Sequence, residues 1–309
     1  MTVVAEVVRS GFVESRHHGS VVALRPDGTV ALAVGDVTTP VFPRSSNKPM
    51  QAAGVVGLGI VERYGLDDRH VALATASHSG EPAHVEVVRD LLARAGVGED
   101  ALRTPVDWPL DAAAARAAAE PSRVLHNCSG KHASFLAACA ARGWPLEGYR
   151  DADHPLQRHL RAVVTDLAGE DVAATGVDGC GAPIFALSLT ALARAFARIA
   201  TATEGPEAVV ARAIRAQPFL LGGTGRDVTR LVEGVPGLVA KDGAEGVYAA
   251  AMPDGTAVAL KIEDGSQRAR PPVMVAALRA LGVDADLAPA VVLGGGEPVG
   301  VVRAVLPTA

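Results

Sequence analysis

Ser45 and Lys48 stand three positions apart in the segment RSSNKP, residues 44–49. A serine hydroxyl becomes a nucleophile when a nearby base takes its proton, and a neutral lysine amine can be that base. Lysine is neutral near pH 7 only where burial or neighbouring positive charge lowers its pKa. Arg44 supplies such a charge, or a donor for a substrate carboxylate. Pro49 biases Lys48 away from helical backbone, so a helix is predicted to start near Pro49 with Lys48 at its mouth and Ser45 on the chain leading in. The plain reading is a serine cap beside a surface lysine, and an isolated S-x-x-K is common by chance.

Other segments carry reactive groups. Ser77, His78 and Ser79 follow the apolar run HVALATA, read as a strand end opening into a helix start. Such a junction presents hydroxyls and backbone N–H groups to a ligand, although ordinary capping with Glu81 in the first turn explains it too. His78 is a candidate base or substrate contact, and equally a satisfied structural histidine. In HNCSGKH, Cys128 and Lys131 are three apart at a helix start; in DGCGAP, Cys180 follows Asp178 and Gly179. Two thiolates from distant segments can bind zinc, but no histidine partner is fixed by spacing, and buried thiols are the plain alternative. The glycines there let backbone approach a small ligand closely. Cys139, on an alanine-rich helix, reads as core. Lys241 ends an apolar strand before Asp242-Gly243, where burial can depress its pKa.

These residues need elements to hold them. The chain has 309 residues, 49% of them hydrophobic, enough for a large core. Hairpins are predicted over residues 20–36, turning at Pro26-Asp27-Gly28, and again at Pro253-Asp254-Gly255. The tail PAVVLGGGEPVGVVRAVL reads as another strand pair. Helical spacing runs through HVEVVRDLLARAG, SGKHASFLAACAARG, LSLTALARAFARIAT and other segments between these strands. The pattern predicts an α+β fold: an antiparallel sheet built from both chain termini, about 1–45 and 235–309, with a helical region of about 46–234 inserted, all one catalytic unit. Net charge is −5 and aromatics make up 4%, with no basic run, which argues against nucleic acid. No phosphate loop or dinucleotide fingerprint occurs, and the glycine-rich LGGTGRD is a weak signal. Apolar runs stop short of a membrane span, and the first residues lack a signal-peptide core, so a cytoplasmic place is expected.

In order, S-x-x-K, S-x-S and K-D-G echo the S-x-x-K, S-D-N and K-T-G set of penicillin-recognising serine enzymes. A closer likeness runs over nearly the whole chain. RSSNKP, ASHSG, HNCSGKH, DGCGAP, VAKDGAEG and KIEDG, in this order, resemble the thermolabile rhizobial-type L-asparaginases, with NCSGKH and DGCGAP the most specific parts. The resemblance implies a fold like that of serine β-lactamases and glutaminases, a homodimer, and hydrolysis of L-asparagine to L-aspartate and ammonia. It also implies two Ser–Lys tandems, Ser45 with Lys48 and Ser77 with Lys241, and a zinc site on Cys128, Lys131 and Cys180. Ser45 is then the expected nucleophile and Ser77 the alternative. Arg44 and the metal shell, with His78, Asp178 and Gly179, are the expected substrate contacts. Competing readings are a penicillin-recognising hydrolase, a glutaminase, and a non-catalytic zinc or amino-acid binding protein.

Overall fold

The computed structural model describes residues 2–307. Strands β1 (Thr2–Arg9), β2 (Phe12–Leu24) and β3 (Val30–Val34) come from the N-terminal end; β4 (Thr175–Val177) and β5 (Pro183–Phe185) form a small separate pair. The C-terminal end supplies β6 (Val239–Asp242), β7 (Val247–Ala251), β8 (Ala257–Ile262), β9 (Ala290–Gly294) and β10 (Glu297–Ala304). Eight of these make one sheet in the order β6-β7-β8-β2-β1-β10-β9, with β3 also on β2. Its pairings are antiparallel.

The α+β class with a sheet shared by both termini is what the sequence pattern predicts. All three expected turns are present, the last on Gly295 and Gly296, both with positive φ. The N-terminal run is itself a strand: β1 sits between β2 and β10. Every residue of β7 is buried, so both faces of that part of the sheet are covered. Helices Leu189–Thr201 and Arg270–Ala280 both pack on β7 and β8. Alanines at positions 249–251 keep the strand thin enough for them to approach.

The run HVALATA is one correction. It is not a strand but most of the helix Asp68–Thr75. Asp67 and His70 close a capping box there, satisfying otherwise orphaned N–H groups. The apolar residues then pack against helices Ser129–Arg142 and Gly205–Ala216. A short apolar run does not declare its period, and the cap decides it. Among the described residues no helix is long and apolar enough to cross a membrane.

Candidate active site

The inserted helices and the terminal sheet meet where a 3-10 turn, Arg44–Asn47, runs into helix Lys48–Val56 beside the end of β6. Arg44 has φ 51°, in the left-handed region that non-glycine residues seldom adopt. Its guanidinium is tied down: Nε donates to Asp178 Oδ1 at 2.7 Å, and Nη1 lies 3.6 Å from Glu245 Oε1. Ser46 Oγ donates to the Lys241 carbonyl at 2.9 Å. A Cβ on Gly243 would stand 2.6 Å from the Pro43 carbonyl, so the glycine of K-D-G is what lets turn and strand close together.

Lys48 is buried at the start of its helix. Its Nζ donates to Ser77 Oγ at 3.1 Å and to the Ala76 carbonyl. Ser77 follows the extended C-cap of helix Asp68–Thr75, and its N–H donates to the Leu221 carbonyl at 2.9 Å. Lys241, also buried, donates to Asp242 instead: to its carbonyl at 2.7 Å and to its carboxylate. The amine of S-x-x-K therefore reaches the second serine, Ser77, and no hydrogen bond joins Lys241 to Ser77. Ser45 and Ser77 nevertheless open onto one cavity of about 420 Å³, together with Asn127 and Leu110. Arg226, Asp242 and Arg270 bring charge to the same space.

The charges form a connected cluster. Arg226 Nη2 stands 3.1 Å from Asp242 Oδ2, and Arg270 Nη2 lies 3.5 Å from both Asp242 and Asp227. Burial alone would raise the Asp242 carboxyl, but Lys241, Arg270 and Arg226 overcome it and hold it well below the usual range. Burial, aided by the charge on Lys48, pushes Lys241 down to about 8 despite Asp242. Asp227 moves up, through burial and then Asp242.

A second cluster lies behind Asn127. Lys131 Nζ is 3.1 Å from Cys180 Sγ, and Asp178, which holds Arg44, stands 3.9 Å from the same sulfur. Facing Cys128, Lys131 and His132, the Cys180 thiol is strongly favoured as thiolate, whereas Cys128 is pushed up. Burial lowers His132 to about 4, and its Nε2 has no hydrogen-bond partner. Two sulfurs and an amine beside this orphaned imidazole nitrogen make a donor set that fits a soft divalent ion. Among the described residues, no group of three His, Cys, Asp or Glu side chains is placed to hold a metal.

His78 is fully buried and stacked on His84, with Nε2 2.9 Å from Ser129 Oγ and Nδ1 accepting from the Gly80 N–H. Burial lowers its pKa, and both nitrogens are engaged away from the cavity. Gly179 lies against Arg44 rather than against the cavity lining.

Sequence reasoning missed Asn127, Arg226 and Arg270 as site residues. Arg226 was hidden in LGGTGRD, whose glycines serve a clamp. Glu81 accepts from the Thr224 N–H and hydroxyl, both at 2.7 Å, and Ser79 Oγ donates to the Gly222 carbonyl at 2.6 Å. Gly223, at φ 113°, leaves no room for a Cβ between Glu81 and Ser79. So the segment carrying Ser77 also latches the loop carrying Arg226. Removing the carboxylate with Glu81→Ala is expected to speed hydrogen exchange of the Thr224 amide by ~10-fold or more. Unchanged exchange there would remove the clamp from the account.

Comparison with known proteins adds the family. Solved structures overlap only loosely. Mglu in its native form is 17% identical with a TM-score of 0.37, over 84% of this chain and 62% of that one. A beta-lactamase from Mycobacterium bovis is 12% identical with a TM-score of 0.40, over 85% of this chain and 94% of that one. This chain thus spans less than two thirds of the length of Mglu. None of the curated proteins compared matches it. The family model of L-asparaginase II matches residues 5–304, nearly the whole length, and the chain therefore belongs to the L-asparaginase II family.

Proposed function

We propose that this protein is an amidohydrolase that converts L-asparagine to L-aspartate and ammonia through a serine acyl-enzyme. The observation that carries the reading is the 3.1 Å contact of the buried Lys48 amine with Ser77 Oγ at the wall of a cavity. Family membership supplies the substrate class. Ser77 Oγ attacks the side-chain amide carbon and gives its proton to Lys48. The amide nitrogen takes that proton and leaves as ammonia, and water, deprotonated by the same amine, then releases aspartate. The Ser77 N–H is spent on Leu221, so the oxyanion needs other donors. Asn127 is placed for this. It lines the cavity, and its side-chain amide carries an NH2 donor that no hydrogen bond among the described residues engages. Such a donor is typically worth ~10²–10³ in rate.

Cys128, Lys131 and Cys180 would hold a zinc ion, whose charge keeps sulfur and amine ligands deprotonated. Ser45 has no side-chain hydrogen bond among the described residues and lines the same cavity, which favours it as the second reading for the attacking serine. One catalytic unit over the whole chain, a homodimer and a cytoplasmic place belong to the same proposal.

The test is ammonia release from L-asparagine, L-glutamine and D-asparagine between pH 6 and 10, with metal analysis of the same sample. L-Asparagine is expected to be the best substrate. The rate is expected to rise across this range, because the amine on Ser77 takes the hydroxyl proton only in its neutral form. No ammonia from any of the three, with the fold intact, would end the amidohydrolase reading. A flat profile would end the neutral-lysine mechanism.

A further inference from the structure

We propose that Arg226 is the carboxylate anchor of the cavity, the residue that makes the enzyme select amides carrying a free α-carboxylate. This rests on the amidohydrolase reading and adds which residue recognises the substrate.

Three arginines lie near the site, and their donors are differently committed. Arg44 is the one the sequence suggests, but it does not line the cavity, its Nε is held by Asp178, and its Nη1 lies 3.6 Å from the exposed Glu245. Arg270 lines the cavity but is only 3% exposed. Its Nη1 donates to the Gly243 carbonyl, its Nη2 stands between Asp227 and Asp242, and its guanidinium lies 5.7 Å from the centre of the Tyr248 ring. Arg270 is therefore a buried support. Arg226 differs in both respects. Its side chain is 25% exposed, and its guanidinium makes one contact among the described residues, Nη2 to Asp242 at 3.1 Å. Nε and Nη1 remain uncommitted. A guanidinium with free donors facing a cavity is suited to a carboxylate, which it can grip with two parallel hydrogen bonds.

The surroundings favour an anion there. Arg226, Arg270 and Lys241 stand against two carboxylates, the firmly ionised Asp242 and Asp227, whose pKa burial and Asp242 push up. The excess is positive. Arg226 is also well mounted: it is the extended N-cap residue of helix Asp227–Gly234, on the loop that Glu81 and Ser79 clamp. A rigid anchor on the segment latched to Ser77 sets the distance between the carboxylate and the attacked carbon.

The experiment compares L-asparagine with β-alaninamide, which is asparagine without its α-carboxylate. The full-length enzyme, Arg226→Gln and Arg226→Lys are assayed on both. The Arg226→Gln change is expected to lower kcat/KM for L-asparagine by ~30-fold or more, chiefly through KM, and to leave β-alaninamide within ~3-fold. Arg226→Lys, which keeps the charge but loses the fork, should fall between. An equal loss on both amides would show a structural role through Asp242 and overturn the proposal, as would an unchanged KM for L-asparagine. If the unaltered enzyme releases no ammonia from either amide, the parent reading fails and the anchor is decided by calorimetry with L-aspartate. Binding weakened ~30-fold or more in Arg226→Gln then supports it; equal binding, or none to the unaltered protein, overturns it. Should Arg226→Gln not fold, Arg226→Lys carries both comparisons by itself.

Discussion

Ser77→Ala and Lys48→Met are each expected to lower ammonia release from L-asparagine by ~10³-fold, and the double variant no further. The reason is the 3.1 Å contact between Lys48 Nζ and Ser77 Oγ. A base without its nucleophile, or a nucleophile without its base, contributes no more than either absence alone. Ser45→Ala is expected to act differently. Ser45 lines the cavity but takes no bond from Lys48, so its loss should cost ~10-fold or less through substrate placement. Burst-phase ammonia separates the cases. If Ser45→Ala abolishes the burst while Ser77→Ala keeps it, Ser45 attacks and Ser77 relays its proton to Lys48. Lys48→Met keeps the buried side chain's length, so a lost rate is not a packing loss in disguise.

Much of this arrangement is legible in the amino-acid sequence. The hairpins at Pro26-Asp27-Gly28 and Pro253-Asp254-Gly255 announce themselves because a turn needs particular backbone angles and few residues supply them. Pro49 marks the start of its helix, although Lys48 before it is not turned away from helical backbone but is itself helical, at φ −62° and ψ −37°. Partners across the chain are another matter. Spacing puts Ser45 nearest Lys48, yet side-chain direction at the helix entrance sends the amine to Ser77, 29 positions away. Lys241 reads as a base at a strand end, and its neighbour Asp242 claims it. Arg226 and Arg270 lie in segments whose local reading, a glycine-rich loop and a helix start, is complete without any functional role. Their meaning arises only when Asp242 brings them together, and that is tertiary information. HVALATA shows the same limit at the level of one element, because the deciding cap lies just outside the apolar run.

Asp242 is where the largest stability effect is expected. Asp242→Asn should lower the free energy of unfolding by about 3–5 kcal/mol at pH 7, read from urea denaturation, because it strands buried positive charge. Lys241 is fully buried, Arg270 is 3% exposed, and both point at this carboxylate. The pH dependence carries a sign for each group. The folded pKa of Asp242 lies below its unfolded value, so its stabilisation is complete above about pH 4 and fades only as pH falls through the lower folded value. Lys241, with a folded pKa of about 8 against ~10.4 unfolded, sheds its proton first in the folded state, so stability rises with pH between those values. Without the Asp242 carboxylate that amine holds its proton still more weakly. The variant's loss should therefore shrink as pH is raised from 6 to 9. Adding Lys241→Met to Asp242→Asn should recover part of the loss, since removing a stranded charge costs less than keeping it buried. A loss under ~1 kcal/mol at pH 7, or one that does not vary with pH, would mean that water reaches this cluster and screens it.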